Sequence, residues 1–258
     1  MQIKNTLVKI QELINKEAIR GKKVTIYMQK SLYLKELKTY NIKVELHAYK
    51  HIILQDETKL ELGGINKKSF SLIYPTSDPS SLSLIHDGRI TLIGPEIAEI
   101  KGSSVDFGLF IIITGSSFSQ KQVHSLKQFS FLSNGIEGFL IRTIPRRFWC
   151  RISHKSIQNN FSFKFLGNAI FYLYRQQFKE LIDSMEILFI NSYTDSIREF
   201  IKITSDLFNQ ENEEWLKKIE NWEKRIDCEY DWGCEICPYQ EECYKIKQVL
   251  VEREKIEK

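Results

Sequence analysis

Four of the five cysteines, Cys228, Cys234, Cys237 and Cys243, stand in one short segment with the spacing C-x5-C-x2-C-x5-C. Thiolate sulfur is a soft ligand, and four thiols in one run suit a metal centre. A cubane iron–sulfur cluster needs four thiolates spread around a body larger than a single ion, and a compact run with a C-x2-C core supplies them. Zinc is the second reading. Structural zinc more often uses two C-x2-4-C knuckles joined by a longer spacer, and here one knuckle is flanked by a cysteine on each side. Disulfides or free thiols are the third. Cys150 stands apart, beside Trp149 in an apolar stretch, and reads as a buried small hydrophobe.

Other residues with chemical potential are more dispersed. Arg142, Arg146, Arg147 and Arg151 form the densest basic group. Guanidinium forks bind phosphate groups in two-pronged fashion, so Arg146, Arg147 and Arg151 are candidates for holding a phosphate or nucleotide. The competing reading is a solvated basic strand edge. Glu137 could serve as a general base, but no paired His or carboxylate is evident, and a structural role fits it better. His86, His124 and His154 are scattered. His47 and His51 share a face only if their segment is helical, and β-rich flanks argue against that. Gly63-Gly64 lacks a phosphate-loop pattern and reads as a turn. No catalytic residue is assigned.

The elements that must carry these residues follow from apolar periodicity. Residues 3–19 read as an amphipathic helix through Ile3, Leu7, Ile10 and Ile14, with Gly21 as its stop. Val24 to Tyr27 is a short strand, Ser31 an N-cap for a helix with Leu34 and Leu37, and Lys43 to Leu46 another strand. Leu60–Gly64 and Phe70–Tyr74 are strands on either side of the Gly-Gly turn. Thr76 to Ser83 is a loop, and Asp87-Gly88 is a hairpin turn signal ahead of the strand Arg89–Ile93, which Gly94-Pro95 ends. Phe107 to Ile113, apolar throughout and β-branched, is a buried central strand. A helix follows over Gln120–Leu132, then strands Phe139–Ile144 and Phe148–Ile152 around Pro145. Residues 164–182 are helical, and Met185–Ile190 is a second buried strand. A long polar helix runs from about Ser192 to Arg225, carrying Trp215 and Trp222, and Tyr244–Ile256 is a last charged helix.

These elements specify an α+β fold: a mixed β-sheet with covering helices, a long C-terminal helix and a cysteine-rich metal-binding tail. The division is a small α/β unit at 1–55, a central α+β domain at 56–205 and a helical tail with the metal site at 206–258. With 42% hydrophobic and 27% charged residues, the composition is that of an ordinary globular chain. A net charge of +4 without a dense basic stripe gives no case for nucleic-acid binding. The longest apolar run is too short to span a bilayer, and Met1-Gln-Ile-Lys opens no signal peptide, so a cytoplasmic location is expected. A reducing compartment also favours metal over disulfides.

A series of short motifs carries a resemblance. Gly63-Gly64, Phe70 and Leu72 are followed by Asp87-Gly88, then Ile93-Gly94-Pro95-Glu96-Ile97. Further on come Glu137-Gly138, Trp149, Arg151, Ser153, Phe161-Ser-Phe-Lys164 and Gly167. In order and spacing this resembles the central domain of the acetyl-CoA synthase β subunit of carbon monoxide dehydrogenase/acetyl-CoA synthase, over roughly residues 60–205. Trp232-Gly-Cys234-Glu-Ile-Cys237 is similar to the start of that family's metal-binding segment. The resemblance implies a [4Fe–4S] cluster on those cysteines, with Cys228 and Cys243 completing the set here. It also implies a setting in anaerobic CO and acetyl-CoA metabolism, beside larger synthase or corrinoid protein components, and CoA as a ligand of the arginines. Only Arg151 falls on a matching arginine, and Leu140 stands where the family has a tryptophan. The family's Cys-Gly-Cys nickel motif does not occur in these 258 residues. The implied role is therefore accessory or electron-transferring rather than CO-methylating synthesis by this chain alone. A zinc-stabilised protein-binding module and an enzyme that binds CoA or a nucleotide are the alternatives.

Overall fold

The amphipathic period at the N-terminus produces helix α1 (Gln2–Ile19), which buries Ile3, Leu7, Ile10, Leu13 and Ile14. The computed structural model that gives this fold describes residues 2–29, 37–46, 52–64, 66–127, 132–144 and 147–207, with backbone alone for 2, 141–144 and 147–149. After α1 come strands β1 (Val24–Met28), β2 (Thr58–Leu62) and β3 (Ser69–Thr76), a short helix α2 (Pro79–Leu82), and β4 (Arg89–Ile93). A 3-10 turn (Ile97–Glu99) leads to β5 (Ser104–Val105), β6 (Phe107–Thr114) and helix α3 (Gln120–Lys127). Then follow β7 (Phe139–Ile144), β8 (Arg147–Ser153), α4 (His154–Gln158), α5 (Phe163–Gln177) and β9 (Ser184–Asn191). A helix, α6, is described over residues 194–207. Residues 1–204 form one compact unit and 205–258 a second.

The fold is α+β, as the sequence leads one to expect, but the described residues form two mixed sheets rather than one. The larger has the order β1-β4-β9-β6-β3 and the smaller β5-β2-β8-β7. All eight residues of β6 are buried, because it sits between β3, which it meets in parallel, and β9, which it meets antiparallel. A strand flanked on both sides and covered on both faces has no room for polar alternation. One apolar core joins both sheets to α5, from Leu60 and Leu62 in β2 to Phe189 in β9. Phe163 of α5 lies with its ring centre 5.2 Å from Phe189 and 5.9 Å from Phe107.

Four local expectations change. Gly63-Gly64 does not join two strands of one sheet: β2 pairs with β8 and β5, while β3 pairs with β6 in the other sheet. Asp87-Gly88 turns no hairpin, since β4 has β1 and β9 as neighbours. Instead the Asp87 carboxylate accepts from the Met185 amide at 3.0 Å and from Arg175, and the Gly88 amide donates to Met185 O at 3.0 Å. The turn thus fastens β4 to the start of β9. In the Thr76–Ser83 loop, Asp78 accepts from the Ser80 amide and Pro79 fills the first helical position, which is enough to nucleate α2. Lys43–Leu46 contributes one bridge, Val44 to Ile136, rather than a strand. The Ser31-capped helix, His47 and His51, and everything proposed beyond residue 207 lie outside the described residues.

The Gly94-Pro95-Glu96 corner holds these layers together. Asn191 Nδ2 donates to Pro95 O at 3.0 Å, tying the ends of β9 and β4. One carboxylate, Glu96, accepts from Tyr27 OH at 2.8 Å, from the Ile97 amide at 3.1 Å and from the first amide of α5, Phe163 N, at 2.9 Å. It therefore caps two helices and anchors β1 at once, in each case as a negative group at a helix N-terminus. Burial, and then the neighbouring Glu96 carboxylate, push the Tyr27 hydroxyl pKa up, so it stays a donor. Glu96→Ala is expected to lower the unfolding free energy by about 3 kcal/mol, the scale of a charged hydrogen-bond acceptor plus a lost cap. Tyr27→Phe removes one donor and should cost about 1 kcal/mol. Urea unfolding followed by circular dichroism measures both; equal costs would mean that the helix caps contribute nothing.

Candidate functional site

The hairpin β7–β8 carries most of the residues that sequence reasoning singled out. Its register sets Phe139 opposite Ile152, Ile141 opposite Cys150 and Ile144 opposite Arg147. On its other side β8 pairs with β2, which puts Arg151 opposite Glu61 and Cys150 opposite Leu62. The hairpin therefore lies inside the smaller sheet, with β7 at its edge.

Cys150 is fully buried, and burial, with Glu61 adding to it, pushes its thiol pKa well up. It remains a neutral thiol and acts as a packing residue, as its apolar surroundings in the sequence lead one to expect. Arg151 is more constrained than a ligand-binding arginine at a free edge. Its Nε donates to Glu61 Oε1 at 3.0 Å and its Nη1 to Ile53 O at 3.2 Å. These bonds clamp β2, and the segment before it, onto β8. Arg146 lies outside the described residues, and of Arg142 and Arg147 only the backbone is described. Of the four arginines, Arg151 alone has a described side chain. A phosphate at Arg151 would have to displace Glu61, and the lost ion pair offsets what the phosphate gains. Arg151→Ala is expected to cost about 2 kcal/mol of stability, the scale of a part-buried charged hydrogen bond. It should leave a CoA titration followed by tryptophan fluorescence unchanged. Saturable binding that vanishes in Arg151→Ala would overturn that reading.

At the other end of the hairpin an open cleft of about 550 Å³ is lined by Asp56, Glu57, Glu137, Gly138, Ser153, His154, Lys155 and Gln158. Its floor is a close approach of backbone to two serines. Gly138 has φ +76°, and its carbonyl accepts from the Ser153 amide at 3.0 Å. Ser153 Oγ caps α4 by accepting from the Ser156 amide at 3.1 Å, and Ser156 Oγ donates to Glu137 O at 3.2 Å. Glu137 Oε1 accepts from Lys155 Nζ at 2.9 Å. That bond holds the Glu137 carboxyl below its usual range, against the opposing effect of burial. A carboxylate so stabilised is a weak base, which agrees with the structural role expected of Glu137. This cleft has almost no signature in the sequence. The only hint was Ser153 three residues ahead of Ser156, at capping distance.

His86, His124 and His154 are exposed and stand on separate elements. Among the described residues no group of three or more His, Cys, Asp or Glu side chains could hold a metal ion. The four candidate ligands Cys228, Cys234, Cys237 and Cys243 lie outside the described residues, as do Trp215 and Trp222. Within the described residues no helix is long and apolar enough to cross a membrane.

The motifs Gly94-Pro95-Glu96, Glu137-Gly138, Arg151 and Ser153 thus make architectural contacts. They mark ancestry through the fold they hold. The chain is 26% identical over 157 residues to the acetyl-CoA decarbonylase/synthase complex subunit beta of Methanopyrus kandleri, covering 60% of this chain and 32% of that protein. It is 24% identical over 172 residues to the carbon monoxide dehydrogenase/acetyl-CoA synthase subunit alpha of Moorella thermoacetica, covering 62% and 22% respectively. For the beta subunit of Methanothermobacter thermautotrophicus the figures are 23% over 155 residues, 59% and 32%. The chain therefore spans about a third or less of the length of these relatives. Residues 41–197, which run from just ahead of the Val44 bridge into α6, match the CO dehydrogenase/acetyl-CoA synthase complex beta subunit, and the chain belongs to that family.

Proposed function

We propose that this protein is an iron–sulfur component of anaerobic CO and acetyl-CoA metabolism that works beside larger subunits of a CO dehydrogenase/acetyl-CoA synthase or its corrinoid protein, in the cytoplasm. The observation that carries the reading is a conjunction. Family membership rests on residues 41–197, and the four-thiol segment Cys228–Cys243 follows it in the same chain. The donor set suits the group: four soft thiolates in a compact run satisfy a [4Fe–4S] cluster. When bound, such a cluster supplies one-electron transfer. With four cysteine ligands it offers no open coordination position, and the chain has no Cys-Gly-Cys motif for nickel. Electron transfer or the shaping of a docking segment is accordingly the role assigned, and joining CO to a methyl group is left to a partner. One feature favours a second reading. A single C-x2-C knuckle with flanking cysteines can also close around one zinc ion, which would make the segment a structural staple for protein binding.

Metal and acid-labile sulfide content, with an absorption spectrum, on protein purified without oxygen, tests the proposal. The expected result is about four irons and four sulfides per chain and a broad absorbance bleached by dithionite. One zinc and no sulfide would overturn it and establish the second reading.

A further inference from the structure

No further inference is drawn: the strongest candidate, the edge of the larger sheet at β1, which among the described residues pairs with β4 alone and whose Ile26 and Met28 are 53% and 55% exposed, carries nothing because nothing among the described residues shows what covers it.

Discussion

Gly138→Ala should destabilise the protein by about 4 kcal/mol, a large share of the roughly 5–15 kcal/mol that holds an ordinary domain together. Two effects add. A residue with a side chain pays about 1–2 kcal/mol to sit in the left-handed region that Gly138 occupies at φ +76°. A methyl group there would also stand 1.6 Å from Ser156 Oγ and 2.7 Å from Ser153 Oγ, far inside contact distance. Relieving that overlap requires the two hydroxyls to move, which breaks the Ser153 cap on α4 and the Ser156 bond to Glu137 O. Each such bond is worth about 1 kcal/mol. Gly21 provides the internal control. Its φ is the same +76°, but nothing lies within 4 Å of where its Cβ would be. Gly21→Ala should therefore show the backbone term alone, about 1–2 kcal/mol. The difference between the two variants isolates the overlap. Ser156→Gly, placed in the Gly138→Ala background, should restore part of the loss, and chemical denaturation of the unsubstituted protein, Gly138→Ala, Ser156→Gly and the double variant closes the cycle. If Gly138→Ala costs no more than Gly21→Ala, the serines yield freely and the hairpin end is not the rigid junction described above.

Much of the fold could be read from the sequence because its elements are dictated locally. Ile3, Leu7, Ile10 and Ile14 can share a face only on a helix, and the apolar run from Phe107 can be satisfied only inside a sheet. What could not be read depends on partners distant in the chain. Gly63-Gly64 is a turn by composition, but β2 pairs with a strand about ninety residues later, so the turn leads from one sheet to the other. Asp87-Gly88 has the composition of a hairpin turn, and its actual work is to bind the head of β9. The site residues divide in the same way. Cys150 was legible because burial follows from apolar neighbours. Arg151 was not, since its pairing with Glu61 exists only through the β2–β8 register. A basic run in sequence does not show which of its guanidinium groups already has a carboxylate partner across the register. Glu96 was missed for a related reason: its donors come from β1, the 3-10 turn and α5, which no single stretch of sequence contains.

Cys228→Ala should lose metal as completely as Cys237→Ala, and this is the sharpest expectation for the cysteine segment. In the proposed cluster Cys234 and Cys237 form the C-x2-C core of the segment, so loss on Cys237→Ala tests only that the segment binds metal. Cys228 is different, because it lies upstream of that pair and is needed only if the centre takes all four cysteines of the segment. With five cysteines in the chain, removal of Cys228 leaves Cys150 as the only thiol outside the set. Cys150 is fully buried within β8, and its thiol pKa is raised, so it cannot take over as a thiolate ligand without unpacking the strand. Cys150→Ala should accordingly keep the full complement of about four irons and lose only a little stability, the ordinary cost of deleting a small buried side chain. Iron and sulfide content of the three variants, purified without oxygen, gives the answer in one comparison. Full retention by Cys228→Ala would show that the fourth ligand is not a cysteine. The centre would then have one position held by a more labile group, and a purely electron-transferring role would no longer follow from the ligand set.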